Sequence, residues 1–189
     1  MRLFVALSIS AEVREALSTL LAELRGAAPK ARWVHPANLH VTLKFIGEVS
    51  TQKLASIEQA LAGVRVPGPL DIEFRALGLF PNDRRPAVIW VGIVAPPEMA
   101  ALATKIDEAA SMCGIPPETR PFAPHLTLAR CKEPRLSEAL HTQVVQCKER
   151  FFAKQSIGEF HLMESKLRNT GAEYTTLRTF PFMAQGMAQ

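Results

Sequence analysis

The chain opens with a short apolar run, Leu3 to Ser8, of the length and character of a buried strand. Ser10 follows as a helix N-cap, with Val13, Leu17, Leu20, Leu21 and Leu24 at helical spacing and Gly26 at the C-cap position. Leu39 to Ile46 reads as a second strand. Ser50 opens a helix with Leu54, Ile57 and Leu61 on one face and Gly63 after it. Leu70 to Arg75 alternates apolar and polar as a half-exposed strand does, Pro81-Asn82-Asp83 marks a turn, and Ala87 to Val94 is a further apolar strand.

The same order then returns. Pro96-Pro97 starts a helix carrying Met99, Leu102, Ile106 and Ala110, closed by Gly114. Pro124 to Arg130 is a strand. Leu136, Leu140, Val144 and Cys147 mark a helix that the pattern starts near Pro134, and Ile157 to Leu167 and Tyr174 to Phe182 are strands on either side of Gly171. Matching elements of the two passes lie 84 to 87 residues apart, as in Leu3 and Ala87, Ser10 and Pro97, Ser50 and Pro134, or Leu70 and Ile157. This spacing implies a duplicated β-α-β-α-β unit, roughly 1–80 and 86–170, forming one domain of two pseudo-symmetric lobes around a shared cleft.

Composition narrows the class. The 189 residues are 48% hydrophobic and 21% charged, as in an ordinary folded domain, and disorder is excluded. No apolar run approaches the ~20 residues of a spanning helix, so no membrane role is expected. The apolar start is too short for a secretory leader and meets Glu12, Arg14 and Glu15 at once. Three cysteines, Cys113, Cys131 and Cys147, without a C-x-x-C, argue against a disulfide framework or a structural zinc and point to the cytoplasm. A net charge of +4 is a mild bias toward anionic partners.

Each unit contains the same short string, Leu39-His40-Val41-Thr42-Leu43 in the first and Pro124-His125-Leu126-Thr127-Leu128 in the second, with the histidines 85 positions apart. Strand alternation puts His40 with Thr42, and His125 with Thr127, on one face. Two opposed His-Thr pairs suit metal-free phosphodiester cleavage: one imidazole takes a proton from water, the other protonates a leaving oxygen, and the hydroxyls bond the non-bridging oxygens. Carboxylates at ligand spacing are missing from both motifs, which places a metal site well below this reading.

These paired H-x-T strings resemble the motifs of the two-histidine (2H) phosphoesterase superfamily. R-L-F-V-A-L, W-V-H-P-A-N-L-H-V-T-L-K-F-I-G-E-V, L-G-L-F-P, I-W-V-G, R-P-F-A-P-H-L-T-L-A-R and E-S-K-L-R-N-T-G-A-E-Y extend the resemblance to the bacterial RNA 2′,3′-cyclic phosphodiesterases, also called 2′-5′ RNA ligases, over nearly the whole chain. The resemblance implies a bilobal α+β fold with two antiparallel sheets flanking a central groove. It implies hydrolysis of RNA 2′,3′-cyclic phosphate ends to 2′-phosphates without a cofactor, with His40 as proton donor and His125 as proton acceptor, and 2′-5′ joining as the reverse reaction. The expected partner is an RNA with a cyclic phosphate terminus, such as a tRNA half, or a cyclic nucleotide, and the expected state is a monomer. Small cyclic phosphates, including ADP-ribose 1″,2″-cyclic phosphate, need the same chemistry. A non-catalytic RNA-end binder is the reading from another class, and the paired histidines argue against it.

The remaining candidates divide. Arg130, five residues after His125, falls on the wrong face by strict alternation; a bulge would return it to the phosphate, and arginine is common at this place in the family. Lys44 shares parity with His40 and reads as a rim charge. Phe4 and Trp33 are candidates for stacking a base, against core packing as the plainer alternative, and Phe122 and Tyr174 are similar. Arg84-Arg85 could steer a polyanion. His35 reads as an exposed loop residue, His141 as a surface residue and His161 as structural.

Overall fold

The computed structural model describes residues 1–82, 85–131, 137–168 and 171–183. Asp83, Arg84, Pro134 and Leu136 lie outside the described residues. The strands are β1 (Arg2–Ser8), β2 (Arg32–Trp33), β3 (His40–Glu48), β4 (Leu70–Phe80), β5 (Val88–Val94), β6 (His125–Arg130), β7 (Phe151–Ile157), β8 (Glu159–Arg168) and β9 (Gly171–Pro181). The helices are α1 (Ala11–Arg25), α2 (Leu54–Ala62), α3 (Pro97–Met112) and α4 (Glu138–Gln146).

Local chemistry explains the helix boundaries. Ser10 Oγ accepts the Val13 N–H at 3.2 Å and Gly26 ends α1. Pro97, with its fixed φ and no N–H, starts α3, and Gly114 follows it at φ 76°. Ser137 Oγ accepts the Leu140 N–H at 3.2 Å at the start of α4.

The expectation of two separate sheets is corrected. All nine strands form one curled sheet in the order β7-β4-β5-β6-β3-β1-β8-β9, with β2 pairing β6. The two motif strands join it at Val41↔Leu126. Two separate sheets would leave β3 and β6 as edges, with unpaired amides beneath two buried side chains. Pairing at the seam satisfies those amides and brings the motifs side by side.

The duplicated units interlock. β1 and β3 lie in one half of the sheet, but β4, which closes the first unit, pairs with β5 in the other half. β8 of the second unit returns to pair with β1. The helices cross as well: α1 packs against β7, and α3 against β3. Apolar faces of these helices (Leu17 and Leu20 from α1, Ile57 and Leu61 from α2, Leu102 and Ile106 from α3) meet the inner face of the sheet, where Phe74, Ile89, Val91 and Leu162 are buried.

Three strands differ from the pattern reading: β2, β4 and β7. β2 is only two residues long, too short to carry a period. β4 runs on past Arg75 to Phe80, because Ala76 at φ 63° makes a bulge and the register with β5 slips between Arg75 and Leu77. β7 has no sequence counterpart; it is a sheet edge with only Ile157 buried, and the residues of Phe151–Ile157 show no apolar–polar alternation.

Because each half contains strands from both units, the chain unfolds as one unit. In urea, far-UV circular dichroism and tryptophan fluorescence are expected to follow one coincident transition. Phe74→Ala, at a fully buried position of β4, is expected to lower its stability by about 3–5 kcal/mol without splitting it.

Candidate active site

The two histidines begin β3 and β6, each after a loop that ends in a carbonyl aimed at its ring. His40 Nδ1 lies 2.7 Å from Asn38 O, and His125 Nδ1 lies 2.8 Å from Ala123 O. A carbonyl can only accept, so in both rings Nδ1 carries the hydrogen and Nε2 is left for chemistry. His40 Nε2 is 3.1 Å from Thr42 Oγ1, which places hydroxyl and imidazole of the first motif at one point. Thr127, like Thr42, is half-buried and separated from its histidine by a fully buried residue, Leu126 or Val41.

Aromatic rings hold each imidazole. Phe4 stands 4.9 Å from His40 and Tyr174 stands edge-on to it at 5.2 Å, with Phe4 and Tyr174 also 5.1 Å apart. Across the seam, Phe80 is edge-on to His125 at 5.0 Å and Trp90 lies 6.5 Å away, backing Phe80 at 5.0 Å. Trp90 rests flat over β4: a Cβ on its register partner Gly78 would overlap the indole, and one on Gly92 would come within 2.9 Å of Arg75 O.

Phe4 therefore follows the core-packing alternative. Only 4% exposed, it packs the His40 ring and presents no face to a base. Trp33 also packs: it pairs with Ala129 in the sheet, lies against the core, and donates its indole N–H to Ala28 O at 3.0 Å. Phe122 is half-buried against the core, whereas Tyr174 belongs to the His40 surroundings.

A bulge decides the case of Arg130. The β5–β6 register passes from Ile89↔Ala129 to Trp90↔Thr127, so Leu128 is the extra residue. Leu128 and Ala129 are both buried, alternation restarts one residue late, and Arg130 emerges exposed on the face of His125 and Thr127. β3 repeats the device: the register passes from Ala6↔Thr42 to Val5↔Lys44, with Leu43 extra. Lys44 consequently turns inward, 5% exposed and paired with Asp107, which corrects its reading as a rim charge. Phe45, five residues after His40 as Arg130 is after His125, emerges instead and is 60% exposed. Sequence reasoning missed Phe45; the shared offset from the two histidines was the available signal.

The other histidines stand apart from the pair. His35 is exposed and accepts the Ala37 N–H on Nδ1 at 3.2 Å, and His141 is exposed on α4. His161 is buried, with Nδ1 3.0 Å from Thr179 Oγ1. Arg85 is exposed beside Asn82, whose Oδ1 accepts its N–H at 3.1 Å. Among the described residues, no three His, Cys, Asp or Glu side chains converge as metal ligands, and no helix is long and apolar enough to cross a membrane.

The sequence matches the LigT like Phosphoesterase family twice, over residues 7–90 and 91–174. The chain belongs to this family. Two curated relatives, both named RNA 2′,3′-cyclic phosphodiesterase, come from Archaeoglobus fulgidus (36% identical, covering 95% of this chain and 99% of the relative) and Methanothermobacter thermautotrophicus (32%, covering 95% and 97%). Among solved structures, TT0787 of Thermus thermophilus superposes with a TM-score of 0.79 at 29% identity over 100% of both chains. E. coli LigT complexed with 3′-AMP superposes with a TM-score of 0.78 at 28% identity, over 97% of this chain and 98% of that one.

Burial lowers the pKa of His40, and the Asn38 carbonyl offsets this only in part. Burial lowers that of His161 as well, against the opposing charge of Glu159. Both rings are thus biased toward the neutral form in the fold relative to the unfolded chain. Their contribution to stability is present above the ordinary imidazole value of about 6.5 and is lost as pH falls through the lowered folded values. The thermal midpoint is expected to fall between pH 7 and pH 5, and to fall less in a His40→Asn/His161→Asn variant. Gly78→Ala is expected to displace Trp90, change its fluorescence, and lower turnover by about 10- to 100-fold through the Phe80–His125 contact.

Proposed function

We propose that this LigT-like phosphoesterase hydrolyses RNA 2′,3′-cyclic phosphate ends to 2′-phosphates by acid–base catalysis with His40 and His125. The observation that carries this reading is the pairing of the two H-x-T strands at Val41↔Leu126, with both Nδ1 atoms anchored on carbonyls. His125 Nε2 takes a proton from water as its oxygen attacks phosphorus. The P–O3′ bond breaks, and the Nε2 proton of His40 passes to the departing 3′ oxygen. Thr42 and Thr127 donate hydroxyl hydrogens to the non-bridging oxygens, and Arg130 adds charge beside the second motif. Phe45 offers an exposed ring beside the first motif for a terminal base.

Burial shifts His40 toward the neutral form, yet as the acid it must carry a proton. The anionic phosphodiester supplies the counter-charge that burial withholds, so substrate and proton arrive together. This gives the pH profile a direction. In kcat/KM, which reports the free enzyme, the alkaline limb set by His40 is expected below the ordinary imidazole value; in kcat, which reports the complex, it is expected at higher pH.

The relative from E. coli has been solved with 3′-AMP. A mononucleotide complex of a relative supports a second reading, a phosphodiesterase of nucleoside 2′,3′-cyclic phosphates or other small cyclic phosphates, with the same residues in the same roles. Incubation in EDTA with a short RNA ending in a 2′,3′-cyclic phosphate, and with the matching cyclic mononucleotide, tests both. The expected product is the 2′-phosphate, formed faster on RNA, with His40→Ala and His125→Ala each slowing turnover by about 10²- to 10⁴-fold. Faster turnover of the mononucleotide selects the second reading. Binding without turnover of either would overturn both readings in favour of a binding module.

A further inference from the structure

The bulge at Leu43 places a lysine where the second motif has an alanine. Lys44 and Ala129 each lie four residues after their histidine and are both buried, so the two motifs differ at this point by one buried cation. Lys44 Nζ is in direct contact with Asp107 Oδ1 of α3 and donates to Pro116 O at 2.7 Å. The Asp107 carboxylate also accepts the Glu118 N–H, at 3.1 and 3.2 Å from its two oxygens. Lys44 and Asp107 thereby grip the segment 115–124 at two points.

That segment carries the chain from α3 across the seam to His125, and its far end supplies the carbonyl of Ala123 that holds His125 Nδ1. It contains Pro116, Pro117, Pro121 and Pro124, whose fixed φ angles leave few ways to absorb a displacement at its start. The corresponding segment before His40 is gripped differently: Arg14 donates to Pro36 O at 2.8 Å and to Ile9 O at 3.3 Å.

We infer that Lys44 and Asp107 are positioning residues for the second motif: by pinning the proline-rich segment 115–124 to β3, the pair fixes the Ala123 carbonyl and with it the orientation of the His125 ring. Strand β3 thus carries the first histidine on its open face and, four residues on, the anchor of the second on its buried face. The kinetic consequence rests on the proposed acid–base function; the geometric one does not.

The test compares the wild type with Lys44→Arg, Lys44→Met and the double variant Lys44→Met/Asp107→Leu, which removes the clamp and leaves no unpaired buried charge to unfold the chain. Two readouts are taken at a temperature where each variant is folded. The first is the ¹⁵N spectrum of labelled histidines, with His125 assigned through His125→Gln. The second is kcat and KM on a 2′,3′-cyclic phosphate substrate. In the double variant the His125 signals are expected to move from a single Nδ1–H form toward a mixture of tautomers while those of His40 stay in place. There kcat is expected to fall about tenfold with KM within twofold, and Lys44→Arg is expected to restore most of both. Unchanged His125 signals in a folded double variant would overturn the inference, as would equal shifts at His40 and His125. A wild type that turns over no cyclic phosphate would instead defeat the proposed function, and the histidine spectra would still decide the positioning role.

Discussion

The seam between β3 and β6 is the contact on which the site depends. One pair of residues, Val41 and Leu126, joins the two halves of the sheet at the middle of both H-x-T motifs. Their side chains are fully buried, so the register there has little freedom: a slip by one residue would carry both histidines into the core and two aliphatic side chains onto the opposite face. Hydrophobic burial on one face of the seam thus sets the placement of four polar side chains on the other. The interlocking of the units strengthens this, because β4 of the first unit pairs within one half and β8 of the second within the other, so neither half forms from one unit alone.

Pseudo-symmetry brings the two histidines together, and departures from it give them different surroundings. Both rings are oriented by a carbonyl two residues upstream, but His40 sits deep between Phe4 and Tyr174 with its Nε2 on Thr42, whereas His125 stands edge-on to Phe80. Burial alone biases the His40 ring toward neutrality. An exposed phenyl ring follows the first motif where an exposed guanidinium follows the second. The two half-sites are therefore unlike, as the proposed directional acid–base reaction requires.

How far the sequence could be read follows from where each signal resides. Element identity was legible where one face is buried, as in β3, β6, α1 and α3, because burial writes a period of two or 3.6 into the residues. β7 was not, since an edge strand with a single buried side chain, Ile157, carries no such period in its residues. The parity of Arg130, Lys44 and Phe45 was hidden for another reason. Each lies beyond a bulge, and Leu43 and Leu128 look like any other apolar strand residue; only the neighbouring register shows that they are extra. Phe4 stayed open between packing and stacking because a ring that packs a histidine and a ring that stacks a base are the same residue in a sequence.

The chain by itself determined the duplicated unit, the paired histidines and threonines, and the family they resemble, because these are properties of local pattern and of repetition at a fixed interval. Tertiary structure alone decided that the two units share one sheet, that each contributes its last strand to the other's half, which ring backs which imidazole, and which side of its strand each residue beyond the motifs occupies. Those outcomes depend on pairings between positions from a dozen to more than a hundred residues apart, such as Trp90 with Gly78 or Phe4 with Tyr174. Such pairings arise from the packing of whole elements and leave no periodic trace in either partner's own stretch of chain.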